Sequence, residues 1–357
     1  MRLKPTQKVS LISLTHVSFR LFIIVAIIVI IILICGCKNN KYNVEGFNDS
    51  RIPQKTNKTK TTIILHTPKS KLYATKICKH IKSKCITTDR LKIYKTIDKI
   101  GGGYNNIVIH PRTATPLNSK WINFLYELEG KGVKIINSPK TLQLTSNKLD
   151  CSFVLLNAGI NHPLTWKGKK NNISTINKIG ELLSRHNKLI IKPFNSISQG
   201  AYVQILKNTM STNRIKKLVE SIPTDPFVIQ EFVEYKAIHR IIVINGIPLP
   251  FSFVDKPTKK KWKVSVCLNR DSMKFNSVPN KKLLDIAVNT QNVLKKHTKS
   301  KYKGIHFIDI FEKNNNTFTI SEINTACSLL IHENLAKTAG HPDWQISKKI
   351  AGYLNSI

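Results

Sequence analysis

The chain has 357 residues, 41% of them hydrophobic, which is enough for a packed core and for roughly two to three structural units. Its 57 Lys and Arg outnumber 20 Asp and Glu, and the formal net charge of +37 favours anionic partners. Aromatic residues make up only 8% and do not cluster among the lysines, which argues against nucleic acid as a partner. Seven cysteines without a Cys-x-x-Cys pair predict reduced, buried thiols rather than a disulfide framework or a zinc site.

An apolar segment follows a basic stretch at residues 1–20. Residues 21–37 carry no charged side chain, and a helix of about 17 residues or more can span a bilayer. The sequence therefore predicts a single-pass transmembrane helix at 21–37, followed by a polar linker at 38–60. One alternative stays open, because the residues just before Cys37 resemble a lipoprotein box in which that cysteine is acylated. Basic residues flank the segment almost equally, so they do not fix its orientation.

Strand and helix patterns alternate over residues 61–139. Apolar runs predict strands at 61–66, 106–110 and 133–136, and a period of 3.6 residues predicts a helix at 117–130. Strands that alternate with helices are typical of a parallel sheet, so we expect a small α/β domain here.

The larger C-terminal part, residues 140–357, also mixes helices and strands. Helices are predicted at 142–159, 173–183, 279–296 and 344–354, and strands at 188–193, 202–206, 227–233 and 240–243. Two further apolar runs, 304–311 and 317–324, predict a hairpin joined by an asparagine-rich turn.

This hairpin would place three oxygen-bearing side chains together. Glu322 and Asn324 project from one face because side chains alternate along a strand, and Asp309 faces them from the neighbouring strand. Mg²⁺ binds few protein oxygens and shares the rest of its coordination shell with phosphate, so the three residues predict a magnesium site. The alternative is a structural hairpin with polar ends.

A second candidate site lies at the end of the strand at 188–193. Lys192 precedes a loop of small polar residues that includes Ser196, Ser198 and Gly200. The backbone N–H groups of such a loop can approach phosphate oxygens, and the ammonium group neutralises their charge. The alternative is a solvated lysine before a surface turn. The chain has no Gly-x-x-x-x-Gly-Lys-Ser/Thr sequence, which excludes a P-loop.

Five segments, in this order, resemble the ATP-grasp superfamily and, within it, the RimK-type amino-acid ligases. They are VKIINSPKTLQLTSNKLDCSFVLLNAGINHPLTW, LIIKPFNSISQG, FVIQEFV, GIHFIDIF and ISEIN. The resemblance runs from about residue 106 to the C-terminus. It implies a mixed α/β ATP-grasp fold at 140–357, preceded by a pre-ATP-grasp domain at 61–139.

Carried over residue by residue, the resemblance implies several sets of functional side chains. Nucleotide phosphates would be bound by Lys148 and Lys192 with Ser196, Ser198 and Gly200, and the adenosine would be framed by Gln230, Glu231, Phe232, Val233 and Glu234. Mg²⁺, or Mn²⁺ in its place, would be held by Asp309, Glu322 and Asn324. The basic candidates for catalysis are Arg240, Lys263 and Arg270, with Arg240 expected to stabilise the transferring phosphate.

The sequence departs from the family pattern at three places. The aspartate that usually meets the ribose, two residues before Arg240, is Ile238, and Glu234 or His239 are the candidates to replace it. The usual substrate loop, Arg-Ser-Asn followed by two glycines, appears as KVSVCLNR. After Asn324 the usual Pro-Gly is Cys327 and Ser328. These departures put the substrate in doubt more than ATP binding.

The resemblance implies a ligase that joins a carboxylate to an amine. The carboxylate of an amino acid or acidic peptide would attack the γ-phosphoryl group of ATP, and an amine would take the acylphosphate to give an amide. Because the reaction consumes ATP, we expect the domain to face the cytosol from its membrane anchor. Two alternatives stay open: a membrane-tethered nucleotide-binding module without catalysis, and a basic protein held on anionic membrane or nucleic acid.

Overall fold

The computed structural model describes residues 60–89, 92–100, 103–111, 119–195, 202–257, 273–327 and 329–357, all within one compact unit. The predicted basic segment, the predicted span at 21–37 and nearly all of the linker at 38–60 lie outside these residues.

The single-pass membrane localisation predicted from the sequence is corrected by the structure. No helix in the described part of the chain is both long and apolar enough to cross a membrane. The longest described helix, Lys281–Thr298, has 18 residues but carries lysines near both ends and Asp285 between them. Only one stripe of this helix, including Leu283 and Leu294, is buried against the protein core.

The N-terminal part folds around a parallel four-stranded sheet. Its strands are β1 (Thr61–His66), β2 (Lys84–Asp89), β3 (Ile107–Pro111) and β4 (Lys134–Ile135), in the spatial order β2-β1-β3-β4. Helices α1 (Lys71–Cys78), α2 (Ile93–Ile100) and α3 (Ser119–Gly130) join them, with short 3₁₀ turns at Pro68–Ser70 and Tyr104–Asn106. The strands and the helix predicted above for this part are present, and α1, β2 and α2 are present in addition.

A second, antiparallel sheet of four strands carries one half of the candidate site. It contains β5 (Thr165–Gly168), β6 (Lys188–Pro193), β7 (Gln204–Lys207) and β8 (Phe227–Glu231), in the order β5-β8-β6-β7. Helices α6 (Ile173–His186) and α7 (Thr212–Glu220) pack on one face of this sheet. Leu189 and Ile191 of β6 point into that core, so Lys192 projects from the opposite face.

The third sheet, antiparallel and five-stranded, carries the other half. Its strands are β9 (Ala237–Ile244), β10 (Ile247–Asp255), β11 (Lys274–Asn276), β12 (Ile305–Glu312) and β13 (Phe318–Asn324), in the order β11-β10-β9-β12-β13. One face packs on α4 (Pro139–Ser146), α5 (Lys148–Asn157) and α8 (Lys281–Thr298). The other packs on α1, α9 (Leu329–Thr338) and α10 (Ile346–Ser356), which explains why β9 is buried along its whole length.

The single helix predicted at 142–159 is instead two helices, α4 and α5. Asn147 separates them, because its side-chain oxygen accepts hydrogen bonds from the backbone N–H groups of Leu149 and Asp150 and caps α5. The break makes Lys148 the first residue of α5.

The prediction of unpaired cysteines is wrong in the N-terminal part. Cys78 at the end of α1 and Cys85 in β2 form a disulfide across seven positions of sequence. Cys151 and Cys327 are free and buried, as the sequence predicts for them.

Asn137 fastens the N-terminal part to the third sheet. It follows β4, and its amide donates to the carbonyl of Ile305 (2.8 Å) and accepts from the N–H of Ile305 (2.6 Å). Gly304, just before, has a φ of +82°, and a Cβ there would come within 2.5 Å of the Asn137 oxygen. Because β12 begins at Ile305 and carries Asp309, this contact helps to place the candidate site.

We expect Asn137→Ala to lower the free energy of unfolding by about 2 to 4 kcal/mol, because it removes two buried hydrogen bonds and leaves the Ile305 groups without these partners. Urea unfolding measures this change. The matched control is Asn208→Ala, which removes an exposed amide contact to Asn187 and should cost well under half as much. Equal losses for the two variants would show that Asn137 does not join the two parts of the fold.

Candidate active site

Lys148 and Lys192 converge on one pocket although they lie in different elements. Lys148 begins α5 and Lys192 stands near the end of β6, and an isolated bridge between Asn147 and Asn195 brings the two segments together. Both lysines line a pocket with Glu322 of β13. The structure therefore brings together three side chains that the sequence places in three separate segments.

The charges in this pocket are unbalanced. Burial and, to a smaller extent, the neighbouring ammonium group of Lys148 lower the pKa of Lys192 to about 8, against the opposing effect of Glu322. Burial also lowers the pKa of Lys148, again opposed by Glu322. Two ammonium groups facing a single carboxylate make this pocket suitable for an anion.

Two more pocket residues are uncharged and were not found from the sequence. Burial raises the pKa of the Cys151 thiol to about 12, so it is protonated at neutral pH. Burial, and then Lys192, lower the pKa of His162 to about 4, so its imidazole is neutral. The position of Cys151, one helical turn after Lys148, could have indicated a shared face, whereas no pattern in the sequence indicates His162.

Gln230 holds Lys192 in place. The Lys192 Nζ donates to the Gln230 side-chain oxygen at 2.8 Å, and the Gln230 Nε2 donates to the Thr165 hydroxyl at 2.9 Å. The contacts cross three neighbouring strands, β6, β8 and β5. The side chain of Gln230, expected to frame adenine, is thus positioned as a partner of Lys192.

The other residues predicted to frame the adenosine, 231–234, lie at the end of β8 and in the connection that leads to β9 of the third sheet. The backbone N–H of Glu231 donates to the carbonyl of Leu164 at 2.9 Å, and its carboxylate accepts from the N–H of Leu164 at 3.3 Å. Val233 is buried. The remaining contacts form a surface group in which the ammonium of Lys188 lies 5.4 Å from the ring centre of Phe232 and 2.7 Å from the carboxylate of Glu234.

Arg240 and Asp309 form a buried, two-pronged ion pair. The strand register sets Arg240 of β9 directly opposite Asp309 of β12, and its Nε and Nη2 each donate to one carboxylate oxygen at 2.7 Å. On the other side, Asp309 lies opposite Glu322 of β13, and the Asn324 amide reaches Asp309 at 3.5 Å. A bulge between Asp309 and Ile310 shifts the pairing at this point.

The donor set at the hairpin fits a magnesium ion. Asp309 and Glu322 supply oxygens from adjacent strands, and Asn324 supplies an amide. Among the described residues no group of three or more His, Cys, Asp and Glu side chains could hold a metal by itself. Mg²⁺ takes one or two protein carboxylates and completes its shell with phosphate and water, so Asp309 and Glu322 are the residues that would hold it.

The remaining predicted residues either lie outside the described part of the chain or make other contacts. Ser196, Ser198, Gly200, Lys263 and Arg270 lie outside the described residues. Of the two candidates for the missing ribose contact, His239 bonds to Glu312 at 2.9 Å and Glu234 is held at the surface by Lys188. Ile238 itself is buried in the core below the third sheet.

Comparison of the whole structure with solved structures decides the fold. The D-cycloserine synthetase DcsG superposes with a TM-score of 0.62 at 9% identity, covering 83% of this chain and 99% of that one. The D-alanyl-alanine synthetase A of Vibrio cholerae gives 0.60 at 13% identity, covering 84% and 98%. The chain has the ATP-grasp fold. The ATP-grasp ligase PsnB, in a complex with a precursor variant, Mg and ADP, gives 0.55 at 12% identity, covering 83% and 98%.

Sequence comparison supports the ATP-grasp superfamily independently. The family model for the ATP-grasp domain of prokaryotic glutathione synthetase matches residues 169–325. The glutathione synthetase of Buchnera aphidicola subsp. Baizongia pistaciae is 26% identical over 238 residues, covering 63% of this chain and 65% of the relative. That of Wigglesworthia glossinidia brevipalpis is 24% identical over 211 residues, covering 57% and 60%. The chain therefore spans less than two thirds of these relatives.

Lys192 should make nucleotide binding sensitive to pH. Because the pKa of its ammonium group lies near 8, a rise from pH 7 to pH 9 removes most of its charge. We expect the affinity for ATP, measured by calorimetry at constant ionic strength, to fall about tenfold over this range. The control Lys192→Arg stays charged and should give a flatter profile. A wild-type profile as flat as that of the arginine variant would contradict this role.

The contribution of Lys192 to the free energy of unfolding should rise over the pH range in which the affinity for ATP falls. A loss of affinity at high pH is therefore distinguished from a loss of structure. The unfolded chain keeps the Lys192 proton up to a pKa near 10.5, whereas the folded protein releases it near 8. Between these values the unfolded state binds more protons, so this group makes the free energy of unfolding rise with pH.

Proposed function

We propose that this protein is an ATP-dependent ligase that joins a carboxylate to an amine through an acylphosphate, as the RimK-type amino-acid ligases do. The observation that carries the proposal is the convergence of Lys148, Lys192 and Glu322 in one pocket, with the Arg240–Asp309 pair next to Glu322 in the strand register. The matched relatives are glutathione synthetases, and the structural neighbours include a synthetase, a D-alanine–D-alanine ligase and a ligase in a complex with a precursor peptide.

The protein's own residues bind and neutralise the phosphates. Lys148 and Lys192 place two positive charges where the phosphates of ATP would lie, and Gln230 orients Lys192. A carboxylate oxygen of the substrate attacks the γ-phosphorus, and the bond from that phosphorus to the bridging oxygen of ADP breaks. The amine then attacks the acyl carbon, inorganic phosphate leaves, and the nitrogen gives up a proton. Cys151 stays protonated, so the pocket offers no thiolate nucleophile for a covalent intermediate.

Asp309, Glu322 and Asn324 are the residues that would hold Mg²⁺, or Mn²⁺ in its place. A bound ion of this kind neutralises charge on the phosphates during transfer. Both carboxylate oxygens of Asp309 already accept hydrogen bonds from Arg240, so Glu322 is the hairpin carboxylate whose charge acts mainly on the pocket.

The substrate class is tested by a turnover screen with the full chain. The protein is incubated with Mg·ATP and with amino acids and acidic peptides in pairs, and release of ADP and phosphate is measured. We expect at least one pair to give a product whose mass is the sum of its parts less one water. ATP binding without turnover for any pair would favour the alternative, a nucleotide-binding module that does not catalyse.

We expect Glu322→Gln to abolish turnover while changing the affinity for ATP by less than about fivefold, because Lys148, Lys192 and the residues at 230–234 still hold the nucleotide. Lys192→Ala should instead weaken ATP binding by about 1.5 to 3 kcal/mol, because it removes a charge-assisted phosphate contact, and should lower turnover as well. The two variants are compared by calorimetry and by ADP release. Wild-type turnover in Glu322→Gln would show that the hairpin is merely structural.

A further inference from the structure

The guanidinium group of Arg240 has a second partner, the thiol of Cys327. Nη1 of Arg240 donates to Sγ at 2.7 Å, while Nε and Nη2 are taken by Asp309. All three residues are buried. Cys327 lies in the connection just after β13, so the contact ties this connection to β9. A planar group held along two of its edges keeps both its position and the orientation of its plane.

His332 holds the thiol from α9. Its two ring nitrogens lie 3.8 and 3.9 Å from the Cys327 sulfur, and the edge of its ring packs against Phe253 with the ring centres 4.4 Å apart. The next residue in α9, Glu333, forms an ion pair with Lys76 of α1. The thiol is therefore held by a helix that is itself tied to the N-terminal part of the protein.

Cys327 occupies a position where the sequence departs from the family pattern, and neither the sequence motifs nor the comparisons give it a role. A thiol accepts a hydrogen bond without carrying charge, so it can fix a guanidinium without cancelling its positive charge. Asp309, in contrast, neutralises the charge as it binds. The two contacts thus have different consequences for an anion near Arg240.

We propose that Cys327 is a positioning residue that, supported by His332, sets the orientation of Arg240 toward the transferring phosphate. The inference rests on the proposed ligase function, in which Arg240 stabilises that phosphate. Stabilisation of a transition state depends on groups that are already in place, and misplacement by about 1 Å can cost on the order of a hundredfold in rate. Removing the thiol should therefore affect the chemical step more than the binding of nucleotide.

The test measures kcat and the KM for ATP in the full-length protein. Cys327→Ala should lower kcat about 10- to 100-fold, the range expected for the loss of one hydrogen bond to a charged group, while the KM changes less than about threefold. Cys327→Ser retains an acceptor and should recover most of the rate. A kcat for Cys327→Ala within about twofold of wild type, or a serine variant as slow as the alanine variant, would overturn the proposal.

A control variant separates positioning from a general loss of stability. Ile350→Val removes one methylene from the same core without touching Arg240, and it should lower the thermal midpoint but leave kcat unchanged. If Ile350→Val slows turnover as much as Cys327→Ala does, the effect of Cys327 is structural and the proposal fails.

A double-mutant cycle decides the question even if the wild-type protein shows no turnover, which would refute the ligase function by itself. Unfolding free energies are measured for Cys327→Ala, Arg240→Gln and the double variant. If the two single variants' losses of unfolding free energy are not additive in the double variant, the thiol holds the guanidinium directly. Additive losses would overturn the positioning role whatever the activity of the protein.

Discussion

The candidate site depends on a row of three charged residues across three neighbouring strands. Antiparallel register places Arg240, Asp309 and Glu322 side by side in β9, β12 and β13. The strands are otherwise rich in isoleucine and phenylalanine, so an unpaired charge here would be costly to bury. The two-pronged bond between Arg240 and Asp309 makes burial tolerable, and the loss of either partner would leave an uncompensated charge.

In contrast to the paired charges of Arg240 and Asp309, the lysines beside the second sheet are not fully compensated. Lys192, like Lys148 from α5, is desolvated beside another ammonium group, and Glu322 only partly compensates the two. The repulsion between the two ammonium groups is unfavourable for folding. The apolar packing of β6 and β8 against α6 and α7 offsets it. An anion that enters the pocket relieves this repulsion. Because the two lysines are already in place before it binds, the anion binds more favourably.

Much of the site could be predicted from the sequence, because its charged residues stand near the ends of apolar runs. The runs around Lys192, Asp309 and Glu322 fold as the predicted strands β6, β12 and β13. The residues that support them could not be recognised from the sequence. Gln230 falls among the residues expected to frame adenine, and His162 and Cys327 follow no periodic pattern. Their roles depend on tertiary contacts, as does the pairing of Cys78 with Cys85. Strand β2 was missed because its residues, KCITTD, are mostly half-buried and show no clear alternation.

The departures from the family pattern bear on whether the protein has lost catalysis. An aspartate in place of Ile238 would sit in the apolar core beneath the third sheet, so its absence suits the packing of this chain. Cys327, which stands where proline is usual, accepts a hydrogen bond from Arg240, the arginine that the proposed mechanism uses. In an active site that has lost its function, charged side chains are expected to lose the partners that hold them in place. Here Arg240 has a partner, Cys327, in addition to Asp309, and Lys148 and Lys192 line a pocket that favours an anion. Under the proposed function, the altered positions are compatible with the same phosphate chemistry and bear on the substrate rather than on ATP.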